Sequence, residues 1–268
     1  MALTDILNRI PYICKIRGRQ DKIVFNLRFK YVVLRSTFKM LRMLPKANQM
    51  IANKEKYGVM ERFRYAQDIM NCVKKNSRTT TEVHGRNNIP ENETCIFYAN
   101  HQGKYDAIGI LVELDEPCGV LWEERQAKKI LGRQVCGLID GVAINLTNIK
   151  KMAEAIFKVS DLVSKGKNFL IFPEGGYTDK THNSLQEFKT GCFSCSIRSK
   201  TTVVPTVIYD SYKAMNSNSL RKVKTQVHFL KPIRYSEYEG MNRSSLSEMV
   251  KSRIEEKLNS IKMVENDK

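Results

Sequence analysis

Apolar and polar positions divide the chain into two regions of different period. From Lys22 to Leu44, apolar residues such as Phe25, Phe29, Val32, Phe38 and Leu41 recur at helical spacing, interrupted throughout by Arg and Lys. Pro45 is expected to end that helix, and a second helix is expected from Met60 to Lys75. After the polar run Arg78-Thr79-Thr80-Thr81 the period shortens. Strands are expected at Glu82–His84, Cys95–Ala99, Gly119–Trp122, Gly141–Leu146, Asn168–Phe172, Thr201–Tyr209 and Val223–Leu230, with turns marked by Gly85 and Pro90. Helices are expected between them at Ile108–Leu114, Glu123–Arg133, Ile149–Lys165 and Gln186–Ser199. A last helix is expected at Ser244–Ile261, capped by its serine pair. Strands alternating with helices predict an α/β fold with a largely parallel, twisted sheet flanked by helices. The expected division is a basic helical N-terminal segment (residues 1–78) followed by an α/β domain (residues 79–268).

In such sheets, sites form beyond the carboxyl ends of strands. Three polar clusters are expected there: Asn100-His101…Asp106, Pro173-Glu174-Gly175-Gly176 and Pro205-Thr206. His101 and Asp106 suit a general base and the carboxylate that orients it. In a regular helix, residues five apart lie about 140° apart, so this pair meets only if the chain turns, and Gly103 is the residue that permits a turn. Paired glycines after Glu174 let the backbone approach a ligand closely, although the same string also makes an ordinary turn. Lys189 is a candidate for a substrate phosphate, against the plainer reading of a solvated lysine. His84 and His228 fall in strands without partners and read as structural or surface residues. His182, in the polar loop Thr178–Asn183, is a further candidate to line the site, and Trp122 reads as core.

Composition narrows the classes of partner. The apolar fraction of 42% and charged fraction of 27% are those of a folded protein, but the net charge is +17. Residues 1–60 carry thirteen Lys and Arg against three acids, which implies an anionic partner such as a phospholipid surface, a nucleic acid or a phosphorylated substrate. Basic residues interleaved with apolar ones suit a helix lying in a membrane interface. They suit equally a helix that packs its apolar side on the neighbouring domain. Seven cysteines, an odd number, form no disulfide framework and point to a reducing compartment; Cys192 and Cys195 read as two small residues on one helix face. Met1 to Pro11 lacks a signal-peptide pattern, and the sequence contains no run of about 18 apolar residues that would span a bilayer. No nucleic-acid-binding motif is present.

The order and spacing of these clusters resemble the bacterial 1-acylglycerol-3-phosphate acyltransferases, within the wider glycerolipid acyltransferase family. Asn100-His101-Gln102-Gly103-Lys104-Tyr105-Asp106 is similar to the first motif of that family, and Phe172-Pro173-Glu174-Gly175 to the third. Glu187-Phe188-Lys189-Thr190-Gly191 resembles the stretch that follows, and Val203-Val204-Pro205-Thr206 the fourth motif; the likeness spans roughly residues 82–235. The resemblance implies His101 and Asp106 as the catalytic pair. It implies Asn100, Gly103, Glu174, Gly175, Gly176, Lys189 and Pro205 as substrate-binding residues, with no metal.

It further implies direct acyl transfer from acyl-CoA or acyl-carrier protein to a lysophospholipid hydroxyl, with no bound cofactor and no covalent enzyme intermediate. The enzyme would be peripheral, on the cytoplasmic face of an anionic phospholipid membrane. Two positions depart from the family. Leu146 and the Gly176-Tyr177 pair stand where arginines that grip the acceptor's phosphate are usual, and Lys104, Lys150, Lys151, Lys180 and Lys189 are the candidate substitutes. Other acceptors therefore stay open: a different lysophospholipid, glycerol 3-phosphate or a glycolipid. A non-catalytic basic protein that binds membrane or nucleic acid is the competing reading.

Overall fold

A computed structural model describes residues 26–178 and 181–266. The part of the basic segment before Asn26, with Cys14 and Lys22, lies outside the described residues, as does Lys180. The helices α1 (Leu27–Ala52) and α2 (Val59–Asn76) come first, then β1 (Thr79–His84), β2 (Cys95–Ala99), α3 (Asp106–Leu111) and β3 (Cys118–Glu123). The short helices α4 (Glu124–Ala127) and α5 (Gly132–Leu138) lead to β4 (Val142–Ile144), α6 (Ile149–Ser164) and β5 (Asn168–Ile171). The chain ends with α7 (Ser194–Ser199), β6 (Thr202–Tyr209), α8 (Tyr212–Met215), β7 (Val223–Phe229), α9 (Tyr235–Tyr238) and α10 (Arg243–Asn266).

The seven strands make one sheet in the order β1-β7-β6-β2-β5-β3-β4. Five neighbouring strands run parallel. The β6–β7 pair is antiparallel, so β7 and its parallel partner β1 run against the rest. This largely parallel sheet, covered by helices on both faces, is the architecture expected from the alternation. The pleat of β2 shows how the layers divide. Cys95, Phe97 and Ala99 face the core under α1, α2, α3 and α5, whereas Ile96 and Tyr98 face the core under α6, α7 and α10. The central strands are buried along their whole length, as strands covered on both faces must be.

Several expected boundaries are corrected. The first helix runs through Pro45 to Ala52, because that proline lies on the exposed side, where a freed carbonyl can be hydrated. Its start is capped by Asn26, whose side chain accepts the Phe29 N–H. The stretch Glu123–Arg133 is broken between α4 and α5, where Leu131 takes a φ of 71° and its N–H is held by the Gln134 side chain. The segment Gln186–Lys189 is not helical: the Gln186 amide and the Lys189 N–H are bonded to the loop at residues 173–176, and a 3₁₀ turn at Thr190–Phe193 precedes α7. At α10 it is Asn242, not the serine pair, that caps the helix, accepting the N–H groups of Ser244 and Ser245.

Two buried arginines tie the helical layer to the sheet. Arg62 of α2 grips both carboxylate oxygens of Asp140 at 2.9 Å and donates to the Leu138 carbonyl, while Lys54 and Lys167 also pair with Asp140. Arg28 of α1 donates to the carbonyls of Ala214, Ser219, Arg221 and Ser77, so the loop after β6 is pinned against α1. His84 and His228 stack at 4.3 Å across neighbouring strands, and burial together with the facing His84 pushes His228 down to about 4. That pair is part of the sheet.

Candidate active site

The carboxyl ends of β5, β2 and β6 lie side by side in the middle of the sheet, and the site is assembled there. His101 leaves β2, and Asp106 is the first residue of α3. The intervening turn brings them together: His101 Nδ1 lies 2.7 Å from Asp106 Oδ2. The same oxygen accepts the N–H groups of Gln102 at 2.5 Å and Gly103 at 2.9 Å, so the turn folds around the carboxylate. The other oxygen, Oδ1, accepts the hydroxyl of Ser211 at 2.6 Å. Asp106 is completely buried, and its charge is met by donors on every side. Gly103 contributes in a different way from the one expected. Its φ is not positive; a Cβ there would meet the side-chain oxygen of Asn216 at 3.0 Å.

With Nδ1 committed to Asp106, Nε2 is the nitrogen left to take a proton from a bound hydroxyl. The imidazole stacks on Phe172 at a centroid distance of 4.4 Å, and Tyr177 stands edge-on at 4.7 Å. Those rings restrict the tilt of the base while its side chain stays partly open to solvent. The arrangement is competent for general-base activation of a hydroxyl.

Glu174 follows β5 and is buried. One carboxylate oxygen accepts the His101 N–H at 2.9 Å and the other the Gln186 amide at 2.7 Å. Burial pushes its carboxyl up from the ordinary range despite those donors. Asn100 is also fully buried and bonds both the N–H and the carbonyl of Ile208, which fastens the end of β2 to β6. Gly175 closes the turn with a φ of 72°, and its N–H reaches the Phe172 carbonyl. Gly176 accepts from Gln186, and the exposed stem of Lys189 passes beside Gly175. These residues gather at one place.

Pro205 does not join them. It lies inside β6, level with Tyr98, and the strand continues to Tyr209, so the residues that leave its carboxyl end are Asp210 and Ser211. His182 stacks on Tyr212, and its neighbour Asn183 enters the hydrogen-bond network. The Asn183 carbonyl oxygen accepts from Gln102 and from the Asp210 N–H. Ser211, Gln102, Asn183, Phe172 and Tyr177 were not singled out as site residues from the sequence. The two rings and Gln102 sit in or beside a motif, and Asn183 ends the polar loop that holds His182, but nothing near Ser211 in the chain marks it. Leu146 is exposed beyond β4, Lys150 and Lys151 lie in the first turn of α6, and the Lys104 ammonium lies 5.4 Å from the Phe29 ring centroid and 6.0 Å from that of Tyr177.

Comparison with known proteins places this geometry in a family. Residues 80–209 match the family described as Acyltransferase. The 1-acyl-sn-glycerol-3-phosphate acyltransferase of Borreliella burgdorferi is 25% identical over 186 residues, covering 68% of this chain and 72% of that protein. A probable 1-acyl-sn-glycerol-3-phosphate acyltransferase of Mycoplasma pneumoniae is 25% identical over 171 residues, covering 58% of this chain and 63% of its own. The crystal structure of the 1-acyl-sn-glycerophosphate (LPA) acyltransferase PlsC from Thermotoga maritima superposes with a TM-score of 0.70 at 18% identity, covering 88% of this chain and 95% of that one; this likeness is one of fold. Residues 80–209, from β1 to the end of β6, thus carry an acyltransferase-family domain.

Proposed function

We propose that this acyltransferase moves a fatty acyl group from an acyl thioester to the free hydroxyl of 1-acylglycerol 3-phosphate, giving phosphatidic acid. The observation that carries the proposal is the His101–Asp106 pair, its aspartate buried and its histidine side chain partly exposed, at the carboxyl ends of adjacent central strands. The names of the curated relatives support the choice of acceptor. In the reaction, Nε2 takes the hydroxyl proton as the oxygen attacks the thioester carbonyl. The C–S bond breaks as the tetrahedral adduct collapses, and the thiolate of acyl-CoA or acyl-carrier protein takes up the proton from the imidazolium. Asp106 stabilises that imidazolium. No covalent enzyme intermediate and no cofactor enter the scheme.

The acceptor is read from chemistry at the rim. The resemblance puts an arginine near Gly176-Tyr177, so the proposal gives the headgroup charge to lysines as point charges: Lys104, whose ammonium lies 6.0 Å from the Tyr177 ring, and Lys189, whose stem passes Gly175. A panel of lysophosphatidic acid, other lysophospholipids, glycerol 3-phosphate and a glycolipid, offered with labelled acyl-CoA and acyl-carrier protein, tests this. Lysophosphatidic acid is expected to give the highest kcat/KM; preference for an acceptor without a phosphate monoester would overturn the assignment.

The proposed location is the surface of an anionic membrane, on its cytoplasmic face. Leu27, Leu34, Phe38 and Leu41 of α1 are all exposed and fall within about 60° of one another around the helix, opposite the buried stripe Val32, Ser36, Met40 and Ala47. Lys30, Arg35, Lys39 and Arg42 flank that exposed strip, the pattern of a helix whose cations reach headgroups. No helix among the described residues is long and apolar enough to cross a membrane. Flotation with anionic vesicles, weakened by salt and by neutral lipid, is the expected behaviour. Tighter binding to DNA than to vesicles at matched salt would favour the competing basic-protein reading.

A further inference from the structure

The acyl-transfer reading uses His101 and Asp106, but the geometry around Asp106 points to a third residue. We infer that Ser211 is a positioning residue that sets the basicity of the His101–Asp106 pair by holding the second carboxylate oxygen; this rests on the reading of His101 as the base. Among the described residues, Oδ2 receives three donors, and Oδ1 receives the Ser211 hydroxyl alone. Ser211 and Asp106 are both completely buried, so no bulk water replaces that donor. The hydroxyl has one proton, and the 2.6 Å approach to Asp106, against 3.0 Å to the Gln102 carbonyl oxygen, directs it to the carboxylate.

The serine is itself fixed. Its N–H donates to the Gln102 side-chain oxygen, and the Gln102 amide donates to the Ile208 carbonyl at the end of β6. One turn on, Ala214 N–H reaches the Ser211 carbonyl and the Ala214 carbonyl accepts from the buried Arg28 guanidinium. The loop that carries Ser211 is thus bolted on one side to the catalytic turn and on the other to α1. Among the described residues, charged and titratable groups also stand around the pair. Glu174 accepts the His101 N–H, Tyr177 stands against the ring, Lys104 lies beyond Tyr177, and Asp210, paired with Lys213, is reached through Asn183. None of them donates to Asp106.

Removing the hydroxyl leaves a buried carboxylate oxygen without its donor, so the negative charge draws more strongly on the imidazole proton. Ser211→Ala is therefore expected to move the acid limb of the kcat/KM profile upward by about half to one pH unit, a loss of about three- to tenfold on the acid side of that limb and little loss above it. The His101 Nδ1–H proton resonance should move downfield, a signature that does not depend on turnover. Ser211→Thr, which restores a hydroxyl, should return both readings toward the starting protein. If Ser211→Ala does not fold, Ser211→Cys keeps the volume with a weak donor and reads the same shifts. An equal loss at every pH with the resonance unmoved, or no change in either reading, would overturn the inference. Absence of acyl transfer by the unaltered protein would instead overturn the reading of the base, and the resonance would still decide the place of Ser211.

Discussion

His101→Ala is expected to lower acyl transfer by about 10³–10⁴-fold while the protein stays folded. A positioned general base contributes about 10²–10⁴ to a rate, and here the same side chain also returns the proton to the leaving thiolate. The fold should survive because, among the described residues, the imidazole hydrogen-bonds only to Asp106 and is partly open, whereas the backbone N–H held by Glu174 is kept. Asp106 would retain the donors Gln102 N–H, Gly103 N–H and Ser211. Steady-state kinetics beside a thermal melt reads both parts. Turnover within about threefold of the starting protein would remove His101 from the chemistry.

Asp106→Asn separates charge from geometry. The asparagine oxygen can stand in the place of Oδ2 and keep the imidazole and both backbone donors, and its amide can donate to Ser211, whose hydroxyl then turns to accept. The turn is therefore expected to hold, but the charge that stabilises the imidazolium is gone. The predicted loss is about 10²–10⁴-fold in kcat with little change in KM, since the group acts only as the proton moves. A rise in KM at constant kcat would assign Asp106 to substrate binding.

The parts of the site that are contiguous in the chain were legible in the sequence. The run Cys95–Ala99 is apolar on both faces, as a central parallel strand must be, and it ends where the histidine begins, so strand, turn and base could be read together. Glu174 was legible for the same reason at the end of β5. Its partners were not, and they show it holding the His101 backbone and the Gln186 amide.

The strand expected at Thr201–Tyr209 is present as β6, but it carries Pro205 and Thr206 level with Tyr98 and Ala99, so that cluster lies within the strand and not beyond its carboxyl end. Gln186–Lys189 has a helical composition, yet its polar groups find better partners in the loop after β5 than in a helical turn. Ser211 is farthest from any local signal: its partner Asp106 lies 105 residues away, and only the sheet order brings them together.

The account stands on one reaction. The most direct measurement offers the purified protein labelled acyl-CoA or acyl-carrier protein and 1-acylglycerol 3-phosphate in anionic vesicles, and follows labelled phosphatidic acid beside the His101→Ala variant. Product is expected from the unaltered protein and essentially none from the variant. No product from the unaltered protein with any acceptor in the panel, or equal product from both proteins, would contradict it.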